Sequence, residues 1–196
     1  MLLRALRYLS LLPEHLRHRG LLAIGEDSLR LPSRQVSLDE LRSSATQALI
    51  DRMIATMRRT EGVGIAAVQL GDNRAIACIE FTAKHLAEAT PEMAATHKME
   101  AVPLTVMVNP RVLRASSDLV EGAEGCLSVP GMQAIVFRPR HVAIDCLDRN
   151  GAPQTLKLSG WSARIAMHEV DHLKGELFTD KMERKSLAVM HKWLHW

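Results

Sequence analysis

From Leu38 onward apolar side chains recur at Leu41, Ala45, Leu49, Ile50, Met53 and Met57. This spacing of three and four gathers them on one helical face. Ser37 with Glu40 has the form of a capping box and Gly62 supplies a stop, so the pattern predicts one long amphipathic helix packed against a sheet. After Gly62 the period changes. Ala75 to Phe81, Leu104 to Val108, Ala134 to Phe137, Val142 to Leu147 and Thr155 to Leu158 read as strands, with Asn150-Gly151 an apt hairpin turn between the last two. Helical spacing returns from about Gly160 to Leu173 and again, as an amphipathic peripheral element, from Arg184 to Leu194. No repeat or linker interrupts the series, whose mixture of helices and strands is that of an α+β fold.

Composition narrows the class. A chain of 196 residues that is 47% hydrophobic fits one globular domain. The net charge of +3 comes from interspersed charges of both signs, so no stable nucleic-acid partner is expected, although a basic face would help a protein in transient contact with a ribosome. Three cysteines make no disulfide framework and point to a reducing compartment. No run has the length of a membrane-spanning helix. Within residues 1–20, Arg4, Arg7, Arg17 and Arg19 face the single acid Glu14, with Leu2, Leu6, Leu9 and Leu16 at helical spacing. Two readings stand equal: an organellar transit segment, or a bacterial N-terminal extension. Residues 21–196 are then the single domain.

The chemistry is concentrated in His168-Glu169-Val170-Asp171-His172. On a helix the two imidazoles four residues apart share one face and can reach one cation, with Glu169 beside them as a proton carrier that is not a ligand. By itself the pattern also fits two ordinary histidines on an amphipathic helix. A catalytic site of this type needs a third protein ligand and an open position. The pattern H-E-x-x-H-x-x-G-x-x-H is followed through Gly175 and then broken by Phe178. Glu176 and Glu183 lie downstream without an evident reason to fold back. Cys126, in the glycine-flanked Glu124-Gly125-Cys126-Leu127-Ser128, is the better candidate. Cys78 and Cys146 sit in apolar runs as packed strand residues, and His141, His191 and His195 stand apart from other candidate ligands, as surface residues do.

Gly62-Val63-Gly64-Ile65-Ala66-Ala67-Val68-Gln69, Glu124-Gly125-Cys126-Leu127-Ser128 and His168-Glu169-Val170-Asp171-His172 resemble, in order and spacing, the three motifs of the peptide deformylase family. The resemblance runs from about Gly25, where Gly25-Glu26-Asp27-Ser28-Leu29-Arg30 is similar to an early family segment, through Met182. The insertion between Phe81 and Leu104 and the start Ser159-Gly160-Trp161 resemble the subtype of mitochondria, plants and some bacteria. The resemblance implies mixed or antiparallel sheets around a central helix, and Fe²⁺, replaceable by Zn²⁺, Ni²⁺ or Co²⁺, on Cys126, His168 and His172. It implies removal of the formyl group from formyl-methionyl nascent peptides, with Glu169 as the proton carrier. The Gln69 side-chain amide and the Leu127 backbone N–H are its implied oxyanion donors. The main chain at Val63 and Gly64 is implied to pair with an extended substrate beside Gly125.

Helical spacing adds Trp161 and Ile165 on the face of His168 and His172, so both are expected to line a pocket with Arg164 at its edge. Two positions depart from the family pattern. Met167 stands where a Gln usually precedes the first metal-binding His, and Gln133 where an Arg often lies beside the groove. Three functional readings follow: a deformylase, a metallopeptidase or other amidase using the same ligands, and a silent metal-binding or ribosome-associated module. The first is the best fit. It belongs in a bacterial cytoplasm, or in a mitochondrion or plastid if residues 1–20 are a transit segment. Nothing in the sequence speaks to an oligomeric state.

Overall fold

The computed structural model describes residues 20–189, so the reading of residues 1–19 and the histidines at 191 and 195 lie outside the described residues. The expected long helix is two. α1 spans Leu38–Arg42 and α2 spans Ser44–Arg59, with Ser43 extended between them. Apolar periodicity runs through this break. The break follows from Ser43 itself, whose hydroxyl accepts the Thr46 N–H and caps the second helix. Ser37 caps the first through the Glu40 N–H, while the Glu40 carboxylate turns to Arg34 at 2.8 Å.

β1 (Gly64–Ala66), β2 (Ile76–Phe81) and β3 (Val102–Ala115) are followed by β4 (Leu119–Cys126), β5 (Val129–Pro139), β6 (His141–Leu147) and β7 (Pro153–Ser159). Helices α3 (Ala83–Glu88) and α4 (Pro91–Thr96) fill the insertion between β2 and β3. β3 continues beyond the expected end at Val108, because the strand passes Asn109-Pro110 through an irregularity and then resumes its pairing with β6. The Asn109 side chain, at a residue with φ of 53°, bonds both N–H and C=O of Val36 and ties the chain before α1 to this point. The hairpin between β6 and β7 closes as expected, though over residues 148–152. The Asp148 carboxylate accepts the N–H groups of Asn150 and Ala152, each at 2.8 Å.

The strands form a five-stranded sheet of order β1-β2-β3-β6-β7 and a second sheet made of β4, β5 and a short β8 (Ala188–Val189), with all ladders antiparallel. β8 replaces the first part of the helix expected over Arg184 to Leu194. Leu187 and Val189 satisfy a period of two as well as a helical one, and Ala188 and Val189 pair with Gln133 and Met132 on β5. The rest of that expected helix lies outside the described residues.

α5 (Gly160–Leu173) has the bounds read from the sequence and packs against strands of both sheets. β2 explains why. Ala77, Ile79 and Phe81 enter the core shared with α5, while Ile76 and Cys78 enter the core under α1 and α2. A strand buried on both faces has no polar alternation, which is what Ile76 to Phe81 displays. α5 is therefore held between two sheets by apolar contact along most of its length.

Candidate metal centre

The turn Leu127-Ser128 joins β4 to β5 and places Cys126 opposite α5. The ligand atoms of Cys126, His168 and His172 all lie within 4.8 Å of one another, with Cys126 Sγ 3.2 Å from His172 Nε2. All three residues are buried. The two alternatives for the third ligand are elsewhere: Glu176 pairs with Lys181 at 2.8 Å, and Glu183 caps the turn at Lys185 and Ser186. Cys78 and Cys146 are buried strand residues, and burial pushes their thiols up to about 12 and about 11. His141 is exposed.

The donor set fits a divalent cation. One sulfur and two imidazole nitrogens are the ligand types of zinc and its first-row neighbours. His168 Nδ1 lies 3.0 Å from Glu124 Oε2; an ionised carboxylate only accepts, so Nδ1 carries the proton and Nε2 keeps its lone pair for a metal. Burial opposes charge on His168, yet Cys126 and Glu124 hold its pKa well above the usual value. Surroundings that favour a proton there favour a metal cation in its place. Burial pushes His172 well below its usual value, which keeps that ring neutral.

Glu124 has the reverse balance. Burial raises its pKa, but hydrogen bonds from Arg138 and His168 outweigh that and hold the carboxyl far below its ordinary range. Arg138 takes both Glu124 oxygens at 2.8 Å and bonds Asp171 at 2.5 Å. Asp171 in turn receives Lys181 at 2.6 Å. An ion network with Glu124, Arg138 and Asp171 buried and Lys181 at its exposed end thus ties β4 and β5 to α5.

Glu169 is placed differently. It is buried, its Oε2 has no hydrogen-bond partner among the described residues, and burial pushes its carboxyl up to about 7. Gln69 is buried with its amide oriented from both ends: Oε1 accepts the Ala66 N–H at 2.8 Å, and Nε2 donates to Ser128 Oγ at 3.2 Å and lies 3.7 Å from Cys126 Sγ. Sequence reasoning missed a brace on these motifs. Leu22 N donates to Gln69 O at 2.8 Å and Ile24 N to Ser128 O at 2.7 Å, so one short segment joins the 3-10 turn that carries Gln69 to the turn that carries Leu127. Backbone bonds of this kind leave no side-chain signature.

Val63 and Gly64 enter the end strand of the larger sheet, where Val63 O accepts Glu80 N at 2.9 Å and Gly64 pairs with Ile79. Gly125 lies in β4, an end strand of the smaller sheet, opposite Gln133. Trp161 is buried against Phe81 and His97, and Ile165 belongs to the same core. Arg164 departs from expectation. Its side chain is 3% exposed and bonds Glu124 and the carbonyls of Val120, Gly122 and Val136, so it is a buried brace and not a pocket rim. Helical periodicity could not reveal this, because its partners lie 28 to 44 residues away. Met167 packs half-buried against the core, and Gln133 Oε1 has no partner among the described residues.

Residues 18–188 match the model of a family described as polypeptide deformylase. The chain is 38% identical over 185 residues to the mitochondrial peptide deformylase of Homo sapiens, an alignment covering 94% of this chain and 76% of that one. It is 36% identical over 166 residues to the chloroplastic peptide deformylase 1A of Solanum lycopersicum, covering 85% of this chain but only 60% of the tomato protein's length. The class I type b peptide deformylase of Acinetobacter baumannii, solved with Met-Ala-Ser bound, superposes with a TM-score of 0.73 at 36% identity, covering 83% of this chain and 96% of that one. With its three buried donors, adjacent carboxylate and matching fold, the chain belongs to the polypeptide deformylase family of metal-dependent hydrolases.

Proposed function

We propose that this chain removes the formyl group from the N-terminal formyl-methionine of newly made polypeptides. The observation that carries the reading is the convergence of Cys126, His168, His172 and Gln69 at one buried centre, with the buried Glu169 next to His168 on the same helix. A formamide is a poor electrophile and water a poor nucleophile at neutral pH. Cys126, His168 and His172 would hold a divalent ion, which would supply the Lewis acidity that the attack of water on a formamide needs.

The rest of the chemistry belongs to the chain. Glu169 accepts the proton of the attacking water and returns it to the leaving amine. The Gln69 amide and the Leu127 N–H donate to the oxyanion that develops on the formyl oxygen, each donor contributing about 3 to 4 kcal/mol. The orientation of the Gln69 amide, fixed by Ala66 and Ser128, supports this role. Val63 and Gly64 receive the peptide in extended form, with Gly125 across from it; the places of Gly64 and Gly125 on end strands, with Val63 just before β1, support this. Trp161 and Ile165 form the apolar side of the ligand helix. Ferrous iron is the proposed metal, with Zn²⁺, Ni²⁺ or Co²⁺ able to occupy the same donors.

Met-Ala-Ser, bound by the Acinetobacter baumannii relative, is the peptide that remains once formyl-Met-Ala-Ser has lost its formyl group. Relatives from bacteria, mitochondria and chloroplasts support the setting in which such peptides arise. A bacterial cytoplasm is the proposed location, a mitochondrion or plastid the alternative, and any ribosome contact is transient. Formate and amine release from formyl-Met-Ala-Ser, acetyl-Met-Ala-Ser and an unblocked longer peptide test the reading. Release from the formylated peptide alone is expected; cleavage of an internal bond would select a metallopeptidase, and no release a silent module.

A further inference from the structure

Glu124 has four donors for its two oxygens. Oε1 accepts Arg138 Nε and Arg164 Nη1, both at 2.8 Å, and Oε2 accepts Arg138 Nη2 at 2.8 Å and His168 Nδ1 at 3.0 Å. A carboxylate offers about four lone-pair directions, so the group is saturated. Arg138 comes from β5, the partner strand of Glu124 in one hairpin. Arg164 comes from α5, one turn before His168, and is the only one of the two guanidiniums supplied by the ligand helix.

Arg164 does more than meet the carboxylate. Its Nη1 also reaches Val136 O at 2.9 Å and Gly122 O at 3.3 Å, and its Nη2 reaches Val120 O at 2.6 Å. Space is reserved for it: a Cβ at Gly122 would lie 2.8 Å from Arg164 Cζ. Cys126 stands at the end of the hairpin that these carbonyls belong to, and both histidines stand on the helix that bears Arg164.

We propose that Arg164 is a positioning residue that locks the β4–β5 hairpin to α5, and so sets the separation of Cys126 from His168 and His172. It acts through Glu124 and three strand carbonyls and touches no substrate. The proposal rests on the metal-site reading above. It predicts that disturbing Arg164 weakens metal binding and alters ligand geometry while leaving substrate affinity in place.

The test uses the full chain, with zinc affinity measured by chelator competition and ligand geometry by the visible absorption of the cobalt form. Arg164→Met should weaken zinc binding about 10- to 100-fold, the range for losing an outer partner of a metal ligand, and shift the cobalt bands. The KM for formyl-Met-Ala-Ser at saturating metal should stay within about 2-fold. Arg164→Lys should recover only part of the affinity, because one ammonium cannot replace a planar fork spread over four acceptors. Gly122→Ala pushes the guanidinium without removing it and should weaken zinc in the same direction. Parental zinc affinity with parental cobalt bands in a folded Arg164→Met overturns the proposal, as does a raised KM with zinc affinity intact. If Arg164→Met does not fold, parental affinity in Gly122→Ala overturns it. Cys126→Ala is the control: if it binds zinc like the parent, the metal-site reading itself fails and this proposal with it.

Discussion

A Cβ at Gly64 would stand 2.2 Å from Oε1 of Glu169 and 2.8 Å from its Cδ. The Glu169 carboxylate, the proposed proton carrier, occupies the volume that any other residue at position 64 would claim for its side chain. Both atoms are backed by packed structure, Gly64 by β2 and Glu169 by the buried helix. Gly64→Ala must therefore push the carboxylate off its position. A displacement of this size at a reacting group costs about 10²-fold in rate. Formate-release kinetics on a Gly64→Ala protein with normal metal content should show a loss of that order; an unchanged kcat would mean that Glu169 does not act from its observed place.

Glu169→Ala separates proton transfer from metal binding. Glu169 is not among the three clustered ligands, so metal content should stay at the parental level. Activity should fall by 10²- to 10⁴-fold, the usual contribution of general acid–base catalysis. Metal analysis and turnover on one preparation decide it, and near-parental turnover would remove Glu169 from the reaction.

The three cysteines should behave unequally. Cys126→Ala leaves two ligands and should strip most bound metal, whereas Cys78→Ala and Cys146→Ala should leave stoichiometry intact, because those thiols are buried in strands and kept protonated by that burial. Full metal occupancy in Cys126→Ala would send the search for a third ligand back to Glu176 and Glu183.

Arg138 is buried between Glu124 and Asp171. Arg138→Met leaves two buried carboxylates short of their shared partner. Breaking a buried pair on one side costs about 3 to 5 kcal/mol, and denaturant unfolding of the metal-free protein should register a loss in that range. A loss under about 1 kcal/mol would show that the network is dispensable to the fold.

The pairing of His168 with His172 was legible because its spacing is local: both stand on a helix whose bounds, Gly160 and Leu173, match the sequence pattern. Cys126 was legible only through its motif and order along the chain. What escaped was non-local or double-periodic. β1 and β4 went unread because glycines dilute both segments, and their strand character comes from pairing with β2 and β5. The division at Ser43 is invisible to apolar periodicity, which passes through it. Leu187 and Val189 fit two periods, and pairing of the adjacent backbone with Met132 and Gln133 chose the strand. Arg164 read as a rim residue because helical spacing sets it at the edge of the face shared by His168 and His172; its acceptors become visible only once β4, β5 and α5 are assembled.

Metal identity should be apparent in turnover. The iron form is expected to outperform zinc and to decay in air, since a thiolate-bound ferrous centre is open to oxidation, while the nickel form persists. The most direct measurement is formate released from formyl-Met-Ala-Ser by the chelated protein before and after one equivalent of Fe²⁺, Ni²⁺ or Zn²⁺ is returned without oxygen. The chelated protein should be silent, and formate should appear in proportion to metal bound, fastest with iron or nickel. Full turnover without metal, or none in a protein shown to hold one ion per chain, would contradict a metal-dependent deformylase built on Cys126, His168 and His172.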